Sequence, residues 1–305
     1  MKKIAIAGIG GIGGFIGAPL AKNYHNSEQV QVIFICRNET KDTIIEKGLT
    51  LESAQGKETV QPHLTSDDPE TIGHPDVLIL ACKSYSLESM IKAYKSCIGE
   101  DTVIITLQNV VNGKEIIRKH TDQGQVIEGC IYVASNVKKP GHIQHVGGPG
   151  KIFIGGAPAG EYQWLTELLT EGGLDVTFEE NIQSVLWKKY LFVAPVAAIT
   201  TAYDITFGQL LEDDHLMNVL EKMMLEVQSL AAQKGVKLTG EDILNSKSML
   251  TKFPYAAKSS LQLDFEGGHA TEKKFLVDYI IEQSNRYGLK MPFYSEVNKK
   301  ILSLA

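Results

Sequence analysis

The 305-residue sequence lacks the spacing from which disulfide frameworks are built. Its four cysteines, Cys36, Cys82, Cys97 and Cys130, form no CxxC or other paired pattern. Three sit in or beside apolar runs, which predicts buried thiols in a reducing compartment. Positive charge is also in short supply. Thirty Lys and Arg stand against 36 Asp and Glu, a formal net charge of −6. That argues against a broad grip on nucleic acid and leaves room for a local basic pocket that takes a small anion. No eighteen-residue run reads as apolar enough to cross a bilayer. The opening lysines and apolar stretch are interrupted by glycines, so they read as strand, turn and helix and not as a signal peptide. A cytoplasmic protein with neither membrane nor nucleic-acid partners is the expectation. There is no G-x-S-x-G elbow and no Walker lysine. His142 and His145 would face opposite sides of a strand, with no nearby Cys or carboxylate to complete a set, so no metal site is expected.

What is present is ordinary globular composition, 43% apolar and 22% charged, in a chain long enough for two domains. Up to about residue 180, strand-like and helix-like pieces alternate. KIAIAG (3–8), VQVIFIC (30–36), DVLILAC (76–82) and TVIITL (102–107) are apolar on both faces, as strands of a parallel sheet covered by helices must be. Short pieces near 43–64, LTLES among them, suit pairing at a sheet edge. After 125, QVIEGCIYVASN, HIQHVG and KIFIGG read as antiparallel strands closing the domain, followed by a helix over 160–171 and a short strand at 176–178. Beyond 180 the pattern is helical, with candidates at 182–202, 207–210, 213–235, 241–249, 267–288 and from Pro292 onward. The reading is therefore an α/β Rossmann-like dinucleotide-binding domain over 1–180 and an all-helical substrate domain over 181–305, with the working cleft between them. The last helices offer a face on which two copies could pair as a homodimer.

Gly8, Gly10 and Gly13 spell G-x-G-x-x-G after the first strand and at the opening of a helix. The first glycine permits a tight turn, the second lets the backbone approach a pyrophosphate, and the third allows close helix–strand packing. The whole loop, Gly8, Ile9, Gly10, Gly11, Ile12 and Gly13, is the candidate cofactor cradle. Where an NAD site would carry Asp or Glu at the end of the second strand, this chain has IFICRNET. Arg37 would compensate a 2′-phosphate and Asn38 could add a hydrogen bond, so NADP(H) is the predicted cofactor. Two later strand ends carry polar groups, Lys83 in LILACKSY and Gln108 and Asn109 in IITLQNVVNG. A lysine there can meet an anionic substrate or the nicotinamide ribose, and an amide can fix a carboxamide or the substrate. Lys83 also reads as a plain loop lysine, and Asn109 as a turn residue.

In SVLWKKYLFVAPVAAITTAY, Lys188 and Lys189 point about 100° apart on a helix. Lys189, Val193 and Ala197 share one face. An ammonium above an apolar wall is poorly solvated and suits a general acid, whereas two solvated lysines would only snorkel. Pro195 is a candidate kink. Downstream, KSSLQLDFEGGHATEKKF offers Ser259, Ser260, Asp264, Glu266, His269 and Glu272. Thr271 could cap a helix and leave Glu272 as a first-turn charge, or Glu272 could grip a substrate hydroxyl.

Taken in order, GIGGIG, CRN, CKSY, LQNVVNG, GHIQHVGGPGKIFIG, LWKKY and SSLQLDFEGGHATE resemble the ketopantoate reductase (2-dehydropantoate 2-reductase) family over essentially the whole chain. The resemblance implies a 6-phosphogluconate-dehydrogenase-like two-domain build and NADPH-dependent reduction of a 2-oxo acid. It would make Lys189 the general acid, have Glu272 hold the substrate hydroxyl and Ser260 its carboxylate end, and place Lys83 and Asn109 at the nicotinamide end. One departure stands out. Relatives resembling the pantothenate enzyme carry asparagines one and two turns after the lysine, where this chain has Val193 and Ala197. Either Thr200 or Thr201 replaces those amides, or the substrate is a more apolar 2-oxo acid. A non-catalytic NADP-sensing protein is the reading from a different class.

Overall fold

A computed structural model describes residues 1–304 and divides the chain into two compact units. The first comprises Met1–Gln108 and Asn112–Ile182, the second Asn109–Val111 and Gln183–Ala305.

The first unit is built on a mixed sheet of ten strands. These are β1 (Lys2–Ala7), β2 (Val30–Ile35), β3 (Leu49–Ser53), β4 (Gly56–Val60), β5 (Leu64–Ser66), β6 (Val77–Leu80), β7 (Val103–Thr106), β8 (Gln125–Lys139), β9 (His142–Gly155) and β10 (Val176–Glu179). The sheet order is β4-β3-β9-β8-β7-β6-β1-β2-β5, with β10 also on β9. From β5 to β8 every pairing is parallel. Both faces are dry, as the apolar strand runs require. Ile4 and Ile6 pack in one layer with Ile16, Leu20 and Ile79, while Ala5 and Ala7 face a second layer with Leu78, Leu80 and Ile104. Successive strand residues point to opposite faces, so one short run supplies both layers.

HIQHVG and KIFIGG are not two strands. They form one, β9, antiparallel to β8 with register shifts near Tyr132–Ser135 and Val137–Lys139. Gly148 and Gly150 take positive φ within it, so the apparent turn signals mark irregularities in a continuous strand. LTLES, as β3, lies one strand in from the edge, paired to the edge strand β4 on one side and to the start of β9 on the other. The 85–97 stretch is helical in three short pieces. Cys36, Cys97 and Cys130 are buried, and none of the four cysteines is in a disulfide.

The second unit is helical: Ile182–Tyr203 (its first residue belonging to the first unit), Phe207–Glu212, Asp214–Gln233, Gly240–Met249, Ser260–Glu266, Tyr279–Arg286 and Pro292–Leu302. Side chains close the orphan N–H groups at several starts. Thr206 with Gln209 and Thr239 with Asp242 make capping boxes, and Asp213 accepts from Leu216 N. The single helix expected over 267–288 is absent. Ser259 caps an earlier helix, which stops at Gly267, and Gly268 follows at φ +63°. Helix resumes at 273 through a π turn, Lys274–Asp278. The helix Ile182–Tyr203 runs unbroken through Pro195. It also corrects the expectation that no segment could span a bilayer, since by length and composition this helix qualifies. Yet 78% of its most apolar window is buried, the condition of a core helix.

The last helix is anchored by Glu226. Its carboxylate accepts from Phe293 N and Tyr294 N, both at 2.9 Å, so a buried charge caps the helix that Pro292 opens. Burial nonetheless raises this carboxyl above the ordinary carboxylate range, against the two N–H groups that lower it. A folded-state pKa above the unfolded one contributes stability that is complete at low pH and is lost as pH rises through the shifted value. A series of Tm against pH is expected to show that decline in the native chain and to lose it in Glu226→Gln. An unchanged slope would reject the assignment.

Candidate functional site

The glycines of the first loop are required for different reasons. Gly8 has φ +96°, and a Cβ there would lie 3.0 Å from Cys82 N. A Cβ on Gly13 would fall 1.9 Å from the Gly8 carbonyl oxygen, so the helix Gly11–Asn23 approaches the strand end more closely than any side chain permits. Gly11 is pressed on the Ser135 backbone in the same way, its Cβ 2.1 Å from that carbonyl oxygen. Gly10 differs. It has an ordinary φ of −96°, and a Cβ built on it meets nothing within 4 Å. The fold itself would accept a side chain here. No side chain caps this helix, which leaves its first-turn N–H groups and the positive end of its dipole for an anion. These features fit the pyrophosphate of a dinucleotide.

At the end of β2, Arg37 is exposed and opens the helix Asn38–Lys47 without a side-chain cap. Asn38 takes φ 53°, turning the chain sharply after the arginine. The structure adds a group that the linear sequence does not place here. Asp67 follows β5, which pairs with β2, and its Oδ1 accepts from Lys41 Nζ at 2.8 Å. That hydrogen bond with Lys41 is the largest effect holding the Asp67 carboxyl below its ordinary range, and the Arg37 guanidinium adds a smaller one. A carboxylate does stand in this neighbourhood, therefore, but tied to a lysine of its own.

The polar strand ends divide into two kinds. Lys83 is exposed and leads into the single turn Ser84–Ser86. Gln108, expected as a group for carboxamide or substrate, is buried and committed elsewhere. Its Nε2 donates to Leu80 O at 2.8 Å and Cys82 O at 3.1 Å, and its Oε1 accepts from Thr106 Oγ1 at 2.7 Å.

In the second unit the adjacent lysines part as helical geometry requires. Lys188 is exposed and pairs with Asp242 at 3.1 Å. Lys189, half-buried, donates from Nζ to Asn109 Oδ1 at 2.8 Å. Asn109 is thus an acceptor for an ammonium and not simply a turn residue. One and two turns beyond Lys189, Val193 is partly exposed and Ala197 buried. Thr200 and Thr201 do not replace amides there. Thr200 Oγ1 donates to Val196 O at 2.8 Å and lies 3.0 Å from Ser259 Oγ, while Thr201 Oγ1 donates to Ala197 O at 2.7 Å. Mid-helix hydroxyls readily return to the carbonyl one turn back.

Ser259 is the cap of its helix, accepting from Gln262 N, which leaves Ser260 as the exposed first residue. Glu272 is buried, and its carbonyl accepts from Phe275 N and Leu276 N, so Glu272 and not Thr271 holds the cap position of the following helix. Within the second unit, Lys189 and Asn109 are joined directly.

Comparison with known proteins bears on this arrangement. The family described as ketopantoate reductase PanE/ApbA matches residues 4–159, and its C-terminal counterpart matches 181–301. The uncharacterized oxidoreductase YkpB of Bacillus subtilis strain 168 is 29% identical over 298 residues, 97% of this chain and 96% of its own. A PanE/ApbA family ketopantoate reductase from Ralstonia eutropha JMP134 superposes with TM-score 0.90 at 25% identity, covering 99% of this chain and 98% of that one. D-mandelate dehydrogenase, solved with NADH and anilino(oxo)acetate, shares the fold at TM-score 0.85 and 21% identity, with 99% and 98% covered.

The distinct demands on Gly10 and Gly13 separate binding from folding. Gly10→Ala is expected to leave Tm within about 2 °C and weaken binding of a reduced nicotinamide dinucleotide about tenfold, roughly 1.4 kcal/mol. Gly13→Ala is expected to lower Tm sharply. Calorimetry with cofactor titration checks both, and unimpaired binding in Gly10→Ala would exclude Gly10 from the cradle.

Proposed function

The chain belongs to the ketopantoate reductase family, and we propose that it reduces a 2-oxo acid to the 2-hydroxy acid with NADPH, 2-dehydropantoate to (R)-pantoate being the first candidate. The reading is carried by the Lys189–Asn109 hydrogen bond, an oriented ammonium on a largely apolar helix.

A nicotinamide dinucleotide held by the glycine loop would supply the hydride. Hydride arrival at C2 places negative charge on the carbonyl oxygen, and Lys189 delivers a proton there. Its positive charge is worth more in that transition state than in the ground state, and more in a poorly solvated setting than in water. Asn109 holds the ammonium by its carbonyl oxygen and sets the direction of Nζ. Glu272 holds the substrate hydroxyl and Ser260 its carboxylate end. The Gly8–Gly13 loop seats the pyrophosphate, Arg37 the 2′-phosphate, and Lys83 serves the nicotinamide end.

A second reading of the substrate has its own support. Val193 and Ala197 offer no polar atom, and Thr200 and Thr201 are bonded within their helix. Such a wall favours a 2-oxo acid with a more apolar side chain, and the fold is known to seat anilino(oxo)acetate in D-mandelate dehydrogenase. The ratio of kcat/KM for ketopantoate to that for branched or aromatic 2-oxo acids decides between them.

Two experiments test the chemistry. Lys189→Ala should lower kcat by about 10²–10⁴-fold, the usual worth of a general acid, while NADPH still binds. A native chain inactive across the 2-oxo acid panel would leave an NADP-sensing protein as the surviving interpretation. Arg37→Ala should weaken NADPH about tenfold or more, as loss of a charged hydrogen-bond partner does, and barely affect NADH. Equal losses for the two cofactors would reject 2′-phosphate recognition.

A further inference from the structure

Gln108 is 5% exposed and nearly saturated with hydrogen bonds. Both N–H bonds of its amide point at the end of β6, to Leu80 O and Cys82 O, and its oxygen is taken by Thr106. The last ladder pair between β6 and β7 is Leu80 with Thr106. Beyond it the Gln108 side chain continues the hydrogen bonding of the sheet past the point where backbone pairing stops. Gly113 packs so closely on Thr106 that a Cβ there would fall 2.6 Å from its Oγ1. The pinned atoms are one peptide away from two residues of the proposed site. Lys83 follows Cys82, and Asn109, the acceptor of Lys189, follows Gln108.

We infer that Gln108 is a positioning residue for the reduction. It makes no bond to substrate or cofactor, and fixes the two strand ends from which Lys83 and Asn109 leave the sheet. This rests on the reductase reading above. A purely stabilising amide would lower Tm when removed but leave the chemistry of the folded molecules intact. A positioning amide acts through its neighbours, because misplacement of reacting groups by a fraction of an ångström is costly in rate.

The two roles separate in a double-mutant cycle of Gln108→Met, which keeps the side-chain volume, with Asn109→Ala. The cycle is read on kcat with a turned-over 2-oxo acid and, separately, on the NADPH dissociation constant, in the full chain at a temperature where every variant is folded. Gln108→Met alone is expected to lower kcat about tenfold, but to add only about two- to threefold once Asn109 is already Ala, the remainder being the part that passes through Lys83, since coupled residues are not additive. Additive losses, or a fall in Tm with kcat and binding unchanged, would overturn the inference. If Gln108→Met fails to fold, Thr106→Val, which removes only the donor to Oε1, takes its place in the cycle with a smaller expected loss. A native chain without turnover would refute the reductase reading and still leave the NADPH cycle to decide on Gln108.

Discussion

The first unit depends on a contact that no side chain could make. At Gly13 the helix presses against the carbonyl of Gly8 so closely that a single methyl group would collide with it. That approach fixes the start of Gly11–Asn23 just beyond the end of β1. The helix then lays Ile16 and Leu20 into the layer formed by Ile4, Ile6 and Ile79. The helix end, with its uncapped N–H groups, is held in place by buried apolar packing and not by a flexible turn. Rigidity where a phosphate would sit follows from packing that has nothing to do with phosphate.

In the second unit a different economy applies. The helix Ile182–Tyr203 is apolar almost throughout, and Trp187, Tyr190 and Leu191 are buried around its two lysines. Lys188 remains at the surface with Asp242, while Lys189 is met by a neutral amide oxygen. The amide oxygen accepts from the ammonium and so gives it a direction.

Much of this was legible in the sequence where local signals and tertiary demands agree. The doubly apolar strands, the position of the glycine loop and the divergence of Lys188 from Lys189 all follow from periods of 2 and 3.6. The departures have two kinds of cause, one local and one long-range. GGHATE looked like the opening of a long helix because the charges after it suit a first turn, yet Gly267 and Gly268 close the helix before it. Gln108 reads as a group for carboxamide or substrate, because its partners, Leu80 and Cys82, lie 28 and 26 residues away in the chain. Only the pairing of β5 with β2 brings Asp67 beside Lys41. These last two depend on strand order or on hydrogen bonds between distant residues, and periodicity carries neither.

Asn109, Val110 and Val111 group with the helical unit although their neighbours on both sides belong to the sheet. The division between the units is therefore not a single cut in the chain. A chimera joined to a relative at residue 182 would take the lysine from one parent and the amide that orients it from the other. Exchanging the helical part alone would separate Lys189 from the amide it bonds, because that amide is encoded within the stretch that builds the sheet.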